Sequence, residues 1–273
     1  MGARDADRTA ETLALHARLP VYQRHVSQAR DLVRRCVEAS PVGVCFSGGK
    51  DSLVLLHLAH DVDGRIGGYF FDSGCETAWT HATVRGMQIR GVPVTTIDPE
   101  HTIIEMIQMV GGLGYTGPRK LDGDWHWASG AFKRVLLDEP DERARGLVAR
   151  EWQADPAAVT MLIGLRAEES RARRRLLAQR GPVYERIDGR RFGCPLAWWS
   201  GRDVLAYAQA HDLPLSREYR HSGEDVDTRA RRRTGTALGM SGVGYGRWAR
   251  LREDHPALWQ DLTAMFPAMR REG

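Results

Sequence analysis

Six consecutive residues, Ser47-Gly48-Gly49-Lys50-Asp51-Ser52, have the composition of an anion cradle. Two adjacent glycines let backbone amides approach an anion with no Cβ in the way. Lys50 adds a compact positive charge, and Ser47 and Ser52 add hydroxyl donors. The run lies between two apolar stretches, Val42–Phe46 and Leu53–Ala59. That order predicts a buried strand, a glycine turn and a buried helix. Such a turn aims N–H groups and the positive end of a helix at one spot, which suits a phosphate. It is not a Walker A loop, because Asp51 stands where Ser or Thr must follow the lysine. Nor is it a dinucleotide fingerprint, which needs spaced glycines. The alternative is an ordinary Gly-Gly turn ahead of a helix.

The elements that would position this loop recur along the chain. Strands are predicted at Val42–Phe46, Ile66–Phe71, Val92–Ile97 and Val159–Leu165, with gaps long enough for crossover helices. This predicts a doubly wound, mainly parallel α/β sheet of Rossmann-like type. Polar residues follow each strand: the glycine loop after the first, Asp72-Ser73-Gly74-Cys75-Glu76 after the second, Asp98 after the third and Arg166 after the fourth. All are carboxyl ends of parallel strands, where open α/β sheets bind ligands. Val21–Glu38 has helical character and stops at Pro41, whereas the residues from Met1 to Leu19 read as frayed or loosely helical. A hairpin is expected at Val183–Phe192 around Asp188-Gly189. Ser200 is expected to cap the helix through His211, with Asp203 at the box position. Gly111–Asp124 reads as a glycine-rich loop, and Arg229–Gly246 as a basic lid or binding loop. His255–Phe266 reads as a terminal helix. The organisation expected is an N-terminal helical segment over 1–40, a nucleotide-binding α/β domain over 41–213 and a basic loop and helical appendage over 214–273.

Composition narrows the class. The chain of 273 residues is 42% hydrophobic and 27% charged, as in soluble globular proteins. No stretch approaches the roughly 20 apolar residues that span a bilayer, and the charged N-terminal segment has no apolar signal core. A cytoplasmic location, with no membrane partner, is therefore expected. Cys36, Cys45, Cys75 and Cys194 form no CxxC pair, so no zinc or iron–sulfur site is expected and the thiols are expected free. The only lysines are Lys50, Lys120 and Lys133 among 39 basic residues, which makes the placement of Lys50 informative. The net charge of +4 points weakly to a polyanionic partner. Among the histidines, His57 is expected in the core and His81 at the surface, leaving His126 as the candidate base.

The loop resembles the SGGxDS loop of the PP-loop ATP pyrophosphatases. Further motifs sharpen the resemblance: Asp72-Ser73-Gly74, then Gly164-Leu165-Arg166 with Glu169-Ser170 and Arg173, then Pro195-Leu196 with Trp199, Asp203-Val204 and Tyr207. In this order, from Val42 to Leu213, the set is similar to the phosphoadenosine phosphosulfate (PAPS) reductase-like branch of that superfamily. The resemblance implies that Ser47, Gly48, Gly49, Lys50, Asp51 and Ser52 bind the phosphates of ATP or the phosphosulfate of a sulfonucleotide. It implies that Asp72, Ser73 and Ser170 lie near the nucleotide, and that Arg166 and Arg173 neutralise its oxygens, while Arg171, Arg174 and Arg175 are solvated. Lys50, Asp51 and Arg166 are the catalytic candidates. Mg²⁺ is expected with the ATP, held by Asp51 or Asp72. Cys75 and Cys194 are candidate sulfur carriers.

Two departures from the reductase branch bear on function. Its Glu-Cys-Gly tail has no counterpart in Met269–Gly273, and no cysteine stands near Trp127-Ala128-Ser129, where one often follows the tryptophan in that branch. The expected function is an ATP pyrophosphatase that adenylates an acceptor for sulfur incorporation, closest in character to the enzymes of DNA phosphorothioation. A sulfonucleotide reductase or an ATP sulfurylase-type subunit is the alternative. DNA is then an expected partner, through Arg229, Arg231, Arg232 and Arg233, together with a cysteine desulfurase or other sulfur-modification proteins and a second copy in a homodimer. A nucleotide-binding scaffold without turnover is the non-enzymatic alternative.

Overall fold

In the computed structural model the central strand β1, Val42–Phe46, has the bounds the sequence predicts. The structure describes residues 2–72, 74, 76–97, 159–186, 189–219, 225–232, 247–265, 267 and 270. Ser73, Cys75, Asp98, Gly111–Asp124, the Trp125–Lys133 segment with His126, Asp188 and Arg233 lie outside the described residues. The chain groups into two compact units, one of Met1–Phe70, Trp79–Thr96 and Arg145–Thr234, the other of Phe71–Ala78, Ile97–Ala144 and Gly235–Gly273.

The described elements run α1 Gly2–His16, α2 Pro20–Ala39, β1, α3 Lys50–Val62, β2 Gly68–Phe71, α4 Ala78–Ile89 and β3 Val94–Ile97. They continue with β4 Thr160–Leu162, α5 Arg171–Arg180, β5 Val183–Glu185, β6 Arg191–Gly193, α6 Gly201–Ala210 and α7 Val226–Arg231. The last two are α8 Arg247–Asp254 and α9 Pro256–Met265. The sheet order is β3-β2-β1-β4-β6-β5. β1 is parallel to both β2 and β4, and β4 is parallel to β6. β5 closes the edge as an antiparallel hairpin on β6, pairing Tyr184 with Phe192. The fold is thus a mainly parallel, Rossmann-like α/β sheet with helices on both sides.

Strand order locates the ligand edge. From β1 the chain adds β2 and β3 on one side, then returns to place β4 on the other. The order therefore reverses between β1 and β4, and a crevice opens at the carboxyl ends of strands flanking such a switch. The glycine loop leaves β1 there, and the Arg166 segment leaves β4 there.

The helix after the loop is buried almost all round: Leu53, Val54, Leu55, Leu56, Leu58 and Ala59 are all fully inaccessible. It packs on β1, α2 and α6. Its rigidity fixes the loop that starts it. Three predicted strands are shorter than expected. Ile66 closes a turn on Asp63 (2.9 Å), and Val92 closes α4 on Met87 (3.2 Å), so neither belongs to its strand. β4 ends at Leu162 because the chain must turn away to carry Arg166. Of the two expectations for the N-terminal segment, fraying or a loose helix, the structure shows the helix. The segment forms α1, whose Leu13 enters the core and whose His16 Nε2 meets Asp203 Oδ1 at 2.7 Å.

Candidate functional site

The loop turns sharply at Gly48, whose φ of +69° lies in the left-handed region. A Cβ there would also stand 2.7 Å from Thr80 Cγ2. Gly49 is the extended N-cap of α3 and, as a glycine, brings no capping side chain of its own. Ser47 and Ser52 brace the turn instead. Their hydroxyls are 3.1 Å apart, Ser47 N donates to Ser52 Oγ at 3.1 Å, and Ser52 Oγ donates to Gly49 O at 3.0 Å.

Lys50 is 1% exposed and Arg166 is 2% exposed, so both cations are taken out of water. Asp51 joins them. Lys50 Nζ donates to Asp51 Oδ2 at 2.8 Å, and Arg166 Nε donates to Asp51 Oδ1 at 2.6 Å. Burial pushes the Asp51 carboxyl up, but Lys50 and Arg166 outweigh it and hold the group below the usual carboxylate range. With Glu168, which pairs with Arg166, the described ion-paired set holds two cations and two carboxylates.

Arg166 is held from the other side as well. Its Nη1 donates to Glu168 Oε2 at 2.7 Å and reaches Trp199 O at 3.4 Å. Glu168 Oε2 also accepts from Gly201 N, the first amide of α6, at 2.6 Å. The β4 segment runs so close to the loop that a Cβ on Gly164 would lie 3.0 Å from both Asp51 C and Ser52 N. Trp199 is buried, donates from Nε1 to His25 O at 3.2 Å and packs against Tyr22 and Tyr207.

The remaining candidates divide. Ser170 caps α5, its hydroxyl accepting from Arg173 N at 3.2 Å. Arg173 is ion-paired to Glu169 through Nη1, and Glu169 Oε2 accepts from Arg166 N at 3.2 Å. These motif residues shape the turn that presents Arg166. Ser200 and Asp203 form the expected capping box on α6. Asp203 also pairs with His16 and His25 and so ties α1 and α2 to α6. Asp72 follows β2 and makes a local turn, accepting from Gly74 N at 3.0 Å. Both Asp51 oxygens carry a hydrogen bond from a cation, a poor match to a metal ligand. Asp72 is half-buried, and its carboxylate is an oxygen donor of the kind Mg²⁺ takes.

The described thiols do not meet the needs of sulfur transfer in this arrangement. Cys194 is fully buried and pushed up to about 12 by burial, with Cys36 adding to the effect. Cys45 is likewise pushed up to about 12, and Cys36 is raised, both by burial. Each is a protonated packing thiol at neutral pH, so the expected carrier role does not suit Cys194. His57 is half-buried, not fully within the core, and bonds Tyr207 Oη at 3.1 Å. His81 is also half-buried and packs edge-on against Phe70.

Sequence reading missed Glu168, Tyr219 and the carbonyl of Arg232, which accepts from Lys50 Nζ at 2.8 Å. Tyr219 and Arg232 reach Lys50 from 169 and 182 positions away, which no motif marks, whereas Glu168 stands within the Gly164–Arg173 motif beside Arg166.

The family model described as "Phosphoadenosine phosphosulfate reductase domain" matches residues 41–222, about two thirds of the chain. No curated protein matches. Among solved structures, a phosphoadenylyl-sulfate reductase from Candida auris in a phosphate complex shares 17% identity, with a TM-score of 0.49, covering 82% of this chain and 96% of its own. The U34-tRNA thiolase NcsA from Methanococcus maripaludis, with its 4Fe–4S cluster, shares 16% identity, with a TM-score of 0.46, covering 91% of this chain and 80% of its own.

Proposed function

The chain belongs to the phosphoadenosine phosphosulfate reductase domain family, and on that premise we propose that it is an ATP pyrophosphatase of sulfur chemistry. One observation carries the reading: buried Lys50 and Arg166 converge on Asp51 beside the glycine loop and the start of α3, at the sheet's switch point. That arrangement suits the two phosphates that leave as pyrophosphate. An acceptor oxygen attacks the α phosphorus, the bond to the bridging oxygen breaks, and its electron pair leaves with pyrophosphate. The acceptor becomes adenylated, and a sulfur nucleophile then displaces AMP. Lys50, Arg166 and the loop amides neutralise the charge that grows on the leaving group. Mg²⁺, arriving with ATP, would add to that neutralisation.

The acceptor proposed is a DNA backbone phosphate, as in phosphorothioate modification. Arg229 and Arg231 lie on α7, and Arg231 is exposed. Arg232 is committed locally, with Nη1 donating to Glu218 O at 2.9 Å. A desulfurase supplying the sulfur, and a homodimer, belong to the same proposal. The second reading, a sulfonucleotide reductase or sulfurylase-type subunit, is favoured by the family description itself. The three described thiols, all held protonated by burial, weigh against a reductase nucleophile among them.

The test is incubation with ATP and Mg²⁺, with and without DNA, followed by nucleotide separation, with Lys50→Ala as control. AMP plus pyrophosphate, lost in the variant and stimulated by DNA, is expected. ADP as sole product would overturn the reading. Sulfite released from phosphoadenosine phosphosulfate in the presence of a thiol reductant would establish the second.

A further inference from the structure

Burying an ammonium group is costly unless its donors are met. Among the described residues, Lys50 meets that demand with a charged partner, Asp51, and with uncharged ones. Asp51 and the Arg232 carbonyl each accept from Nζ at 2.8 Å, and the Tyr219 ring lies under Nζ at 5.4 Å. The ring distance is within the range of a cation–π contact, and such contacts strengthen when water is excluded. Tyr219 is 3% exposed.

Tyr219 touches Lys50 a second time. Its Oη accepts from Lys50 N at 3.3 Å. Lys50 opens α3, so this amide has no partner within the helix. One side chain therefore holds both ends of one lysine: the phenol takes the backbone amide and the ring face takes the ammonium. Tyr219 sits in a short turn, Arg217–Tyr219, that is itself fastened to the Arg232 segment through the bond from Arg232 Nη1 to Glu218 O. Arg232 O returns to Lys50 Nζ and closes a ring of contacts. α7, which leads into Arg232, is anchored on α6, where Ala230 packs so closely that a Cβ on Gly201 would lie 2.7 Å from it.

We infer that Tyr219 is a positioning residue of the anion cradle. It sets where the Lys50 ammonium lies, and it turns the Lys50 amide away from the ligand toward the phenol. The other loop amides and the ammonium are then the groups that meet phosphate. The inference rests on the phosphate reading of the loop for its functional meaning, but the contact itself is testable without any ligand.

Two variants separate the two contacts. In Tyr219→Phe the ring stays and the acceptor is lost. Hydrogen exchange at the Lys50 amide is then expected to accelerate about tenfold. The Leu53 amide, which bonds Gly49 O, keeps its rate. In Tyr219→Leu the ring is lost as well. Acylation of Lys50 by an amine reagent, mapped by mass spectrometry, is expected to rise about fivefold or more. Lys120 and Lys133 supply the in-chain reference, and Tyr219→Phe is expected to keep Lys50 acylation near the wild-type rate. Unchanged Lys50 amide exchange in Tyr219→Phe, or equal acceleration at Leu53, overturns the inference even if Tyr219→Leu does not fold. Calorimetry with inorganic pyrophosphate adds the functional arm, with affinity expected to fall about tenfold in Tyr219→Leu. Absence of pyrophosphate binding by the wild-type protein would overturn the phosphate reading alone, because exchange and acylation still decide the role of Tyr219.

Discussion

Asp51→Asn is the sharpest perturbation of the cradle. The substitution keeps the shape and removes the charge between two buried cations. Its carbonyl can still accept from Arg166 Nε, now 2.6 Å from Asp51 Oδ1. The amide nitrogen would then face Lys50 Nζ across what is now a 2.8 Å bond, donor against donor. Rotating the amide only moves the conflict to Arg166. Removing one partner from a buried ion pair costs about 3–5 kcal/mol, because the other charge remains desolvated. Against a typical total stability of about 5–15 kcal/mol, that loss is large. For a chain of this size it corresponds to a fall of about 6–20 °C in Tm.

The pH dependence gives the loss a signature. The Asp51 carboxyl is held below its ordinary value in the folded state, so its contribution is present above the unfolded value and fades as pH falls through the folded value. The gap between wild type and Asp51→Asn should therefore be widest near neutrality and shrink below about pH 4. The assay is thermal unfolding followed by circular dichroism across that range, repeated with inorganic pyrophosphate. The variant carries one more positive charge, so pyrophosphate should raise its Tm by more than it raises that of the wild type. Equal Tm values at neutral pH, or a gap that does not change on acidification, would refute the charge argument.

Two further outcomes follow from local geometry. Gly164→Ala places a methyl 3.0 Å from two backbone atoms of the loop, and no rotamer can relieve it. A stability loss of about 1–3 kcal/mol with roughly tenfold weaker pyrophosphate binding is expected, read by urea unfolding and calorimetry. His57 is lowered from 6.5 to about 4 by burial first and by His211 second. Below pH 6.5 the unfolded chain takes up a proton that the folded chain refuses, so stability falls as pH drops toward 4. Allowing for its partial solvent contact, His57 accounts for about 1–2 kcal/mol of that fall. Unfolding curves of wild type and His57→Gln should converge as pH is lowered over this window.

Much of this protein is legible from local pattern. The strand–turn–helix at Val42–Ala59, the hairpin on β6 and the Ser200 cap were each determined by residues within one or two turns of one another. Backbone sterics and burial periodicity act at that range, so sequence suffices. That Lys50, Asp51 and Arg166 follow strands whose carboxyl ends share an edge was also readable from the strand pattern, and the family resemblance singled them out as a set. Tertiary structure alone decided the rest. It placed β4 beside β1, which brings Arg166 from 115 positions away onto Asp51. It gave Ser170 and Arg173 to the turn and left Arg166 at the cradle. It buried Cys194, docked α1 through His16, and set Tyr219 and the Arg232 carbonyl around Lys50. None of these could be read from the chain, because a buried charge takes whatever partners the packing brings within reach, and sequence distance says nothing about which those are.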